Sequence, residues 1–270
     1  IIKIYSEREH ITVSVSDYLK TVFLPCKVTP SKKLEAEITR IRRIKTEEQK
    51  EKILTAQKIA EDAFQHILTF IKPGVTEKQI ALELDFYMLS HGAEALSFET
   101  IAVAGKKSSM PHGVPDGNVV KDGDFITMDF GAVYDGYHSD MTRTVAVGNI
   151  TDEQKKIYEI VLKAQKSALA VLKKGLPCSE ADLAARSIID EAGYGKYFGH
   201  STGHGVGVEI HEAPTLAPKS KDILEVGDVV TVEPGIYIPD KFGVRIEDMA
   251  FITENGYENL TTTPKELIIL

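Results

Sequence analysis

Two acidic residues, Asp129 and Glu233, each end a run of apolar, strand-forming residues. A carboxylate in that position is expected to be at least partly buried, which is costly unless a cation or strong hydrogen-bond donors compensate its charge. The segments that carry the two acids, GDFITMD at 123–129 and GDVVTVE at 227–233, resemble each other. Because the same unusual placement occurs twice, we predict that both carboxylates serve a function.

Two further acids extend this pairing. Asp140, in YHSDMTRT, precedes a predicted strand and matches Asp248 of the second copy or, one step back, Glu247 in GVRIEDMA. The stretch GHSTGHGVGVEIHEAP at 199–214 adds three histidines, of which His204 is the candidate nitrogen ligand. Its glycines at 203, 205 and 207 are predicted to let the backbone pass close to metals and substrate.

This set of side chains predicts a site for two metal ions. Four carboxylates and a neutral imidazole carry a charge of about −4, which two divalent cations cancel. An oxygen-rich shell favours Mn²⁺, Co²⁺ or Fe²⁺ over the thiolate-rich sites of structural Zn²⁺. We therefore expect two divalent ions per chain, with Mn²⁺ preferred and Co²⁺, Fe²⁺ or Zn²⁺ as alternatives. Such a pair supports hydrolysis at neutral pH by sharing one hydroxide and polarising a carbonyl.

Helix signals recur at matching places in the two halves of the chain. Threonine is followed three residues later by glutamine, the capping-box spacing, at Thr46–Gln49, Thr76–Gln79 and Thr151–Gln154. The pattern of apolar residues predicts one helix from Thr46 to the Pro73-Gly74 pair and others over about 77–91, 152–174 and 180–192.

Segments rich in β-branched and aromatic residues follow each pair of helices. They predict strands over 125–134, 142–147, 229–238 and 247–253. Each half therefore consists of helix, helix and strands, which indicates a duplicated unit of the α+β class. Two such halves are expected to face each other across a pseudo-twofold axis, with the matched acids converging near it.

Four segments of the sequence resemble the signature segments of the pita-bread metallopeptidases, which include methionine aminopeptidase, aminopeptidase P and prolidase. The segments are MDFGAVYDGYHSDMTRT, STGHGVGVEIHEAP, TVEPGIY and VRIEDM, and the resemblance covers about 45–270. It implies a pita-bread fold, in which duplicated halves surround a curved antiparallel sheet. It also implies five metal ligands: Asp129, Asp140, His204, Glu233 and Glu247. Asp140 and Glu247 would bridge the ions, Asp129 would hold one, and His204 with Glu233 the other. Glu233 would also handle the proton of the attacking water.

The resemblance assigns roles to five other side chains. His112, in SSMPHGVP, would donate a hydrogen bond or proton to the leaving amine. His211 would stabilise the tetrahedral oxyanion. His200 would line the pocket for the residue after the scissile bond. Arg245 would orient neighbouring groups or substrate, and Tyr237 would form a hydrogen bond beside the metals.

Within this family the chain is more similar to the Xaa-Pro branch, whose substrates carry proline at the second position. The RIED run at 245–248 and the HSTGH run at 200–204 are typical of that branch. Many prolidases place arginine after the His-Glu-x-Pro segment to bind the carboxylate of a dipeptide, whereas this chain has Thr215, and Lys219 is a candidate substitute. Dipeptides and longer peptides both stay open as substrates.

Three alternatives compete with this interpretation. Methionine aminopeptidase is the enzymatic one. A non-catalytic peptide-binding module on the same fold and a metal-free amidinohydrolase resembling creatinase are the others. All five expected metal ligands are present, which argues against the last two.

Composition sets wider limits. The 270 residues carry a net charge of −8, which disfavours nucleic acid as a partner, and the sequence has no apolar run of membrane-spanning length. The two cysteines form no CxxC pair, which indicates a reducing compartment, the cytoplasm. The sequence does not begin with Met, and its first residues, IIKIY, predict a strand. We expect residues 1–44 to be the end of an N-terminal domain with a linker and residues 45–270 to be the catalytic domain. The resemblance also implies a homodimer.

Overall fold

The computed structural model describes residues 2–8 and 11–270. The chain divides into two compact units, Ile1–Arg43 and Ile44–Leu270. Among the described residues, none of the helices is both long and apolar enough to span a membrane.

The first unit contains two parallel strands and two helices. Strand β1 (Lys3–Ser6) pairs with β2 (Lys27–Pro30), helix α1 (Val13–Val22) connects them, and α2 (Lys32–Arg43) follows. The strand predicted at the start of the chain is therefore present. That this unit ends a larger N-terminal domain stays a prediction.

The second unit contains two pairs of helices, close to the predicted positions. They are α3 (Glu47–Phe70), α4 (Glu77–Ser90), α5 (Asp152–Val171) and α6 (Cys178–Glu191). All three predicted capping boxes form: each threonine hydroxyl accepts a hydrogen bond from the glutamine N–H, and the glutamine side chain accepts one from the threonine N–H. These boxes fix the starts of α3, α4 and α5.

Thirteen further strands lie in the second unit of the described chain. In the first half they are β3 (Ala95–Leu96), β4 (Ile101–Ala104), β5 (Phe125–Phe130), β6 (Ala132–Tyr134), β7 (Tyr137–His138) and β8 (Met141–Ala146). In the second half they are β9 (Gly203–Gly205), β10 (Glu212–Leu216), β11 (Val229–Val232), β12 (Gly235–Ile238), β13 (Phe242–Arg245), β14 (Asp248–Thr253) and β15 (Gly256–Asn259).

The duplication predicted from the sequence is visible in the order of the strands. One antiparallel sheet has the order β4-β5-β8, and the other has the order β10-β9-β11-β14-β15, which contains the matching triplet β9-β11-β14. In the first triplet Asp129 pairs with Thr142, and in the second Val232 pairs with Asp248. The predicted α+β organisation in two matched halves is therefore confirmed.

Two of the predicted strands are each divided into two shorter strands. The segment predicted over 125–134 divides at Gly131, where an added Cβ would overlap the Ser139 carbonyl. The segment predicted over 229–238 divides at Glu233-Pro234, because proline has no N–H to donate to a sheet. The second break places Glu233 just outside β11.

Each half buries its own apolar core between its helices and strands. In the first half Ile67 of α3, Leu84 of α4 and Met128 of β5 are fully buried together. In the second half Ala164 of α5 and Val230 of β11 occupy the corresponding layer. Each helix pair covers one face of its sheet, so the side chains on the opposite faces are available to form a site between the halves.

Candidate metal centre

Three of the predicted ligands meet at one point. Potential ligand atoms of Asp140, His204 and Glu247 all lie within 4.8 Å of one another. Asp140 immediately precedes β8, His204 is the middle residue of β9, and Glu247 immediately precedes β14. The two acids enter matching strands of the two halves, which is why a duplicated fold brings them together.

The other two predicted ligands border this group. Glu233 Oε1 lies 3.4 Å from His204 Nε2, and Asp140 Oδ2 lies 3.5 Å from the same nitrogen. Asp129, near the end of β5, accepts a hydrogen bond from Arg245 Nη2 at 2.5 Å. Arg245 also donates to the Thr142 hydroxyl, which donates to Glu247, so one arginine connects the two acids, and the charge of Asp129 raises the pKa of both Asp140 and Glu247.

The charge of this cluster needs cations. Burial raises the pKa of Asp140 well above its usual range, and the neighbouring carboxylates raise it further. Burial has the same effect on the pKa of Glu247, and it raises the pKa of Glu233 to about 8. Among the described residues, Asp129 Oδ1 and Glu247 Oε1 are buried oxygens without a hydrogen-bond partner. Repelling carboxylates with free buried oxygens fit divalent cations, which supply the missing charge and bonds.

His204 is held in the form that binds a metal. Its Nδ1 lies 3.0 Å from the Gly205 carbonyl oxygen, which only accepts, so Nδ1 carries the hydrogen. The lone pair of Nε2 therefore points toward Asp140 and Glu233. Burial lowers the pKa of His204, which favours the neutral ring that metal coordination requires.

A chain of hydrogen bonds connects Asp129 with His200. Arg245 donates to Asp129, to the Tyr237 hydroxyl at 2.9 Å and to the Pro111 carbonyl at 3.1 Å. Tyr237 in turn lies 2.9 Å from His200 Nε2. Although its burial opposes the charge, the pKa of Arg245 is raised well above its usual range, because Tyr237, Asp129 and the other acids stabilise the guanidinium. Burial lowers the pKa of His200 to about 4, so this ring is neutral.

The other two predicted histidines, His211 and His112, are both exposed. The rings of His211 and His204 meet edge to face, with centroids 4.4 Å apart. Burial lowers the pKa of His211, and the charges of His204 and His112 add to the effect. His112 is exposed, and its charge also acts on the pKa of His200. The structure thus brings all ten predicted site residues into one region.

The sequence left two matches open for Asp140, and the structure chooses Glu247. Asp248 turns away from the cluster: it is fully buried, accepts a hydrogen bond from Arg143 Nη2 at 2.8 Å and is also bonded to Lys265. Residues 247 and 248 point to opposite sides because side chains alternate along an extended chain.

The structure gives two glycines around His204 a reason that the sequence did not predict. A side chain at Gly203 would overlap the Thr231 carbonyl, and one at Gly205 would overlap the carbonyls of Glu212 and Ala213. The close approaches that demand glycine are therefore to the neighbouring strands β11 and β10.

Two threonines that sequence reasoning missed support the ligands. The Thr142 hydroxyl donates to Glu247 Oε2 at 2.7 Å and accepts from Arg245 Nε at 3.0 Å. The Thr231 hydroxyl accepts from the His204 N–H at 3.0 Å and donates to Glu233 Oε1 at 3.3 Å. Threonine is common in strands, so the sequence contained no signal for either role.

An ion pair on α6 supports the histidine-rich stretch. Asp182 Oδ1 accepts from the Thr202 hydroxyl at 2.8 Å and from its N–H at 3.2 Å. Arg186 pairs with Asp182 and donates to the carbonyls of Phe198 and His200. An Asp and an Arg four residues apart on a helix usually form a surface pair, so this role was also missed.

Comparison with known proteins places this site in a family. Residues 51–254 match metallopeptidase family M24. The uncharacterized peptidase YqhT of Bacillus subtilis is 54% identical over 233 residues, which cover 86% of this chain and 66% of that protein. The chain thus spans about two thirds of the length of this curated relative.

Two solved structures are similar over nearly the whole chain. The Xaa-Pro dipeptidase from Bacillus anthracis has a TM-score of 0.95 and 48% identity, covering 99% of this chain and 74% of that one. The X-Pro aminopeptidase from Thermotoga maritima has a TM-score of 0.95 and 40% identity, covering 100% and 76%. These likenesses confirm the predicted pita-bread fold. On the strength of the match over 51–254 and of the cluster of buried acids, this chain belongs to metallopeptidase family M24.

Proposed function

We propose that this chain is a dinuclear metal-dependent exopeptidase that hydrolyses the bond between an N-terminal residue and a following proline. The observation that carries the proposal is the buried group of Asp140, His204 and Glu247, bordered by Glu233 and Asp129. The similarity of the chain to a Xaa-Pro dipeptidase and to an X-Pro aminopeptidase supports the choice of substrate.

The five side chains would hold two divalent ions. Asp140, His204 and Glu247 would form the centre of the ligand set, and Asp129 and Glu233 would complete it from either side. The bound ions would supply Lewis acidity toward the scissile carbonyl and lower the pKa of water. We propose Mn²⁺ as the native metal because oxygen donors dominate the set, with Co²⁺, Fe²⁺ and Zn²⁺ as alternatives.

The chain's own side chains would handle protons and charge around the scissile bond. Glu233 would take the proton of the attacking water. His211, beside His204, would donate a hydrogen bond to the oxyanion. His112 would deliver a proton to the leaving proline nitrogen, which has no hydrogen of its own in the peptide.

Three further side chains would shape the pocket. His200 is kept neutral by burial and bonded to Tyr237, so it would offer a rigid wall to the proline ring. Arg245 would hold Asp129 and Tyr237 in place while its contact with the Pro111 carbonyl fixes the backbone beside His112.

The length of the substrate depends on what meets its C-terminal carboxylate. Thr215 is exposed on β10, directly opposite His204 in the sheet register. A threonine lacks the fixed cationic fork with which arginine binds carboxylates. We therefore propose that the chain accepts peptides longer than two residues as well as dipeptides.

The remaining features of the proposal concern the whole protein. We place it in the cytoplasm, because Cys26 and Cys178 form no disulfide in the part of the chain that the structure describes. We propose a homodimer from the resemblance to the family, which light scattering on the purified protein would test.

A panel of three peptides tests the activity. Ala-Pro, Ala-Pro-Ala and Met-Ala-Ala would be incubated with the chain in the presence of Mn²⁺ and after chelation. We expect metal-dependent cleavage of Ala-Pro and Ala-Pro-Ala. Cleavage of Met-Ala-Ala alone would replace the proposal by methionine aminopeptidase, and absence of cleavage together with absence of metal binding would favour a binding module.

A further inference from the structure

The segment that carries His112 is fastened at both ends by one carboxylate. We define the His112 segment as residues 105–118. Glu77, the first residue of α4, accepts hydrogen bonds from the Ala104 N–H and the Asn118 side chain, both at 2.8 Å to Oε1. Its Oε2 accepts from Lys107 Nζ at 2.8 Å and from the Asp116 N–H at 3.3 Å. A single side chain thus joins the entry and the exit of the segment.

Because Glu77 is buried, the charge of its carboxylate has to be compensated by its neighbours. The residue is fully buried, whereas Lys107 and Asp116 are more exposed and lie 2.6 Å apart in an ion pair of their own. A buried carboxylate is tolerated only when a cation and hydrogen-bond donors compensate it. Among the described residues, every side-chain or N–H group that donates to this carboxylate belongs to the His112 segment or the residue before it, so its charge is compensated only while the segment keeps this conformation.

Helix capping does not explain Glu77. The start of α4 is already capped by Thr76 and Gln79, and the carboxylate of Glu77 takes no part in that box. The duplication does not explain it either. Cys178, the first residue of α6, occupies the matching place of the second half, because its N–H donates to the Asp222 carbonyl as the Glu77 N–H donates to the Asn118 carbonyl. The buried carboxylate is therefore particular to the half that carries the His112 segment.

The segment in turn determines where His112 stands. The His112 side chain is exposed, so its position follows from the backbone on either side of it. On one side Arg245 donates to the Pro111 carbonyl, and on the other the Gly113 N–H donates to the Met110 carbonyl at 3.1 Å. These bonds set the tip of the segment, and the bonds to Glu77 set its ends.

We propose that Glu77 is a positioning residue that acts through His112. By joining the two ends of the His112 segment, the Glu77 carboxylate fixes the position from which the imidazole reaches the leaving nitrogen. The inference rests on the proposed function for its kinetic consequence, but the tether itself can be measured without substrate.

The test uses Glu77→Gln, which keeps the shape and removes the charge, with Glu180→Gln, at an exposed acid in the first turn of α6, as the control. Hydrogen exchange should rise for the amides of 104–118 in Glu77→Gln and stay unchanged elsewhere, and Glu180→Gln should match the unmodified chain. Metal content should be unchanged in both. A rise spread over the whole chain, or no rise in the segment, would overturn the tether.

A double-mutant cycle with His112→Ala separates positioning from general damage. We expect Glu77→Gln to lower kcat about tenfold or more in the unmodified chain, since small displacements of a reacting group are costly. In the His112→Ala background it should have no further effect. Equal losses in both backgrounds would show that Glu77 does not act through His112.

Two further outcomes are covered. If Glu77→Gln fails to fold, Asn118→Ala removes one bond at the far end of the segment while Lys107 and the two backbone N–H groups still compensate the carboxylate, and the same cycle applies. If the unmodified chain cleaves none of the Xaa-Pro peptides, the proposed function fails. Hydrogen exchange then still decides whether Glu77 fixes the segment.

Discussion

Thr142 of the first half donates a hydrogen bond of 2.7 Å to Glu247 of the second half. The backbone repeats this connection, because the Glu247 N–H donates to the Thr142 carbonyl at 3.1 Å. Arg245 Nε donates to the same threonine hydroxyl, so one small side chain sets the geometry of a candidate ligand and of the arginine that holds Asp129. The two halves are thus joined at the candidate metal centre itself.

Replacing Thr142 by valine should weaken metal binding. The change keeps the shape of the side chain but leaves Glu247 Oε2 and Arg245 Nε without this partner. Loss of a side chain that orients a ligand costs about 10- to 100-fold in metal affinity or activity. Titration of the metal-free variant with Mn²⁺, after the chelator has been removed, would measure the loss of affinity. Thr127→Val is the matched control, because Thr127 is equally buried but bonds to Thr144; an affinity loss of the same size in both variants would refute the role.

The acids and the fold could be predicted from the sequence because duplication makes them visible. A single strand-end acid such as Asp129 resembles a turn residue, but its match with Glu233 identifies both. The helices were equally predictable, since capping boxes are local sequence signals. The supporting residues were not predictable. Thr142 and Asp182 act through partners distant in the sequence, and their residue types are ordinary for a strand and a helix.

Removing one acid should stabilise the metal-free protein. Asp140 is buried among like charges that attract cations but repel one another in their absence. Asp140→Asn should therefore raise the melting temperature of the chelated chain. It should also reduce the rise produced by added Mn²⁺, because ligands stabilise a protein only as far as they bind its folded state. Calorimetry with and without metal would check both. A lower melting temperature for the chelated variant would contradict the view that repulsion dominates.

The ion pair on α6 should matter for both stability and metal binding. Asp182→Asn removes the charge that pairs with Arg186 and weakens the bonds to Thr202, two residues before His204. We expect the free energy of unfolding to fall by about 2 kcal/mol, as is usual when a buried hydrogen-bonded charge loses its partner. Metal affinity should fall as well.

Asp62→Asn provides the comparison for Asp182→Asn. Asp62 forms an ion pair with Lys58 at the same four-residue spacing on α3, but both side chains are exposed. Exposed pairs of this kind contribute about 0–1 kcal/mol. Denaturant unfolding and Mn²⁺ titration of the two variants would separate the roles. Small and equal losses of stability and metal affinity in the two variants would show that the α6 pair contributes no more than an exposed ion pair.

His211 should affect turnover without affecting the metals. His211→Ala removes a ring that contacts His204 at its edge but belongs to no ligand group among the described residues. If it stabilises the oxyanion, kcat should fall by about 10²–10³-fold at unchanged metal content. His91→Ala, an exposed histidine at the end of α4, is the control. Unchanged kcat, or loss of metal in His211→Ala, would each contradict the assignment.

Thr215 should decide between short and long substrates. On β10 it stands opposite His204, and it is exposed, so a longer side chain has room to extend into solvent. Thr215→Arg would introduce a planar cation able to bind a carboxylate through two parallel hydrogen bonds. In Ala-Pro the C-terminal carboxylate belongs to the proline, whereas in Ala-Pro-Ala it lies one residue farther away. We therefore expect the ratio of kcat/KM for Ala-Pro over Ala-Pro-Ala to rise about tenfold, through a lower KM for the dipeptide. Thr215→Gln, which is long but uncharged, should leave the ratio near its original value. An equal change in both variants would attribute the effect to size rather than to charge.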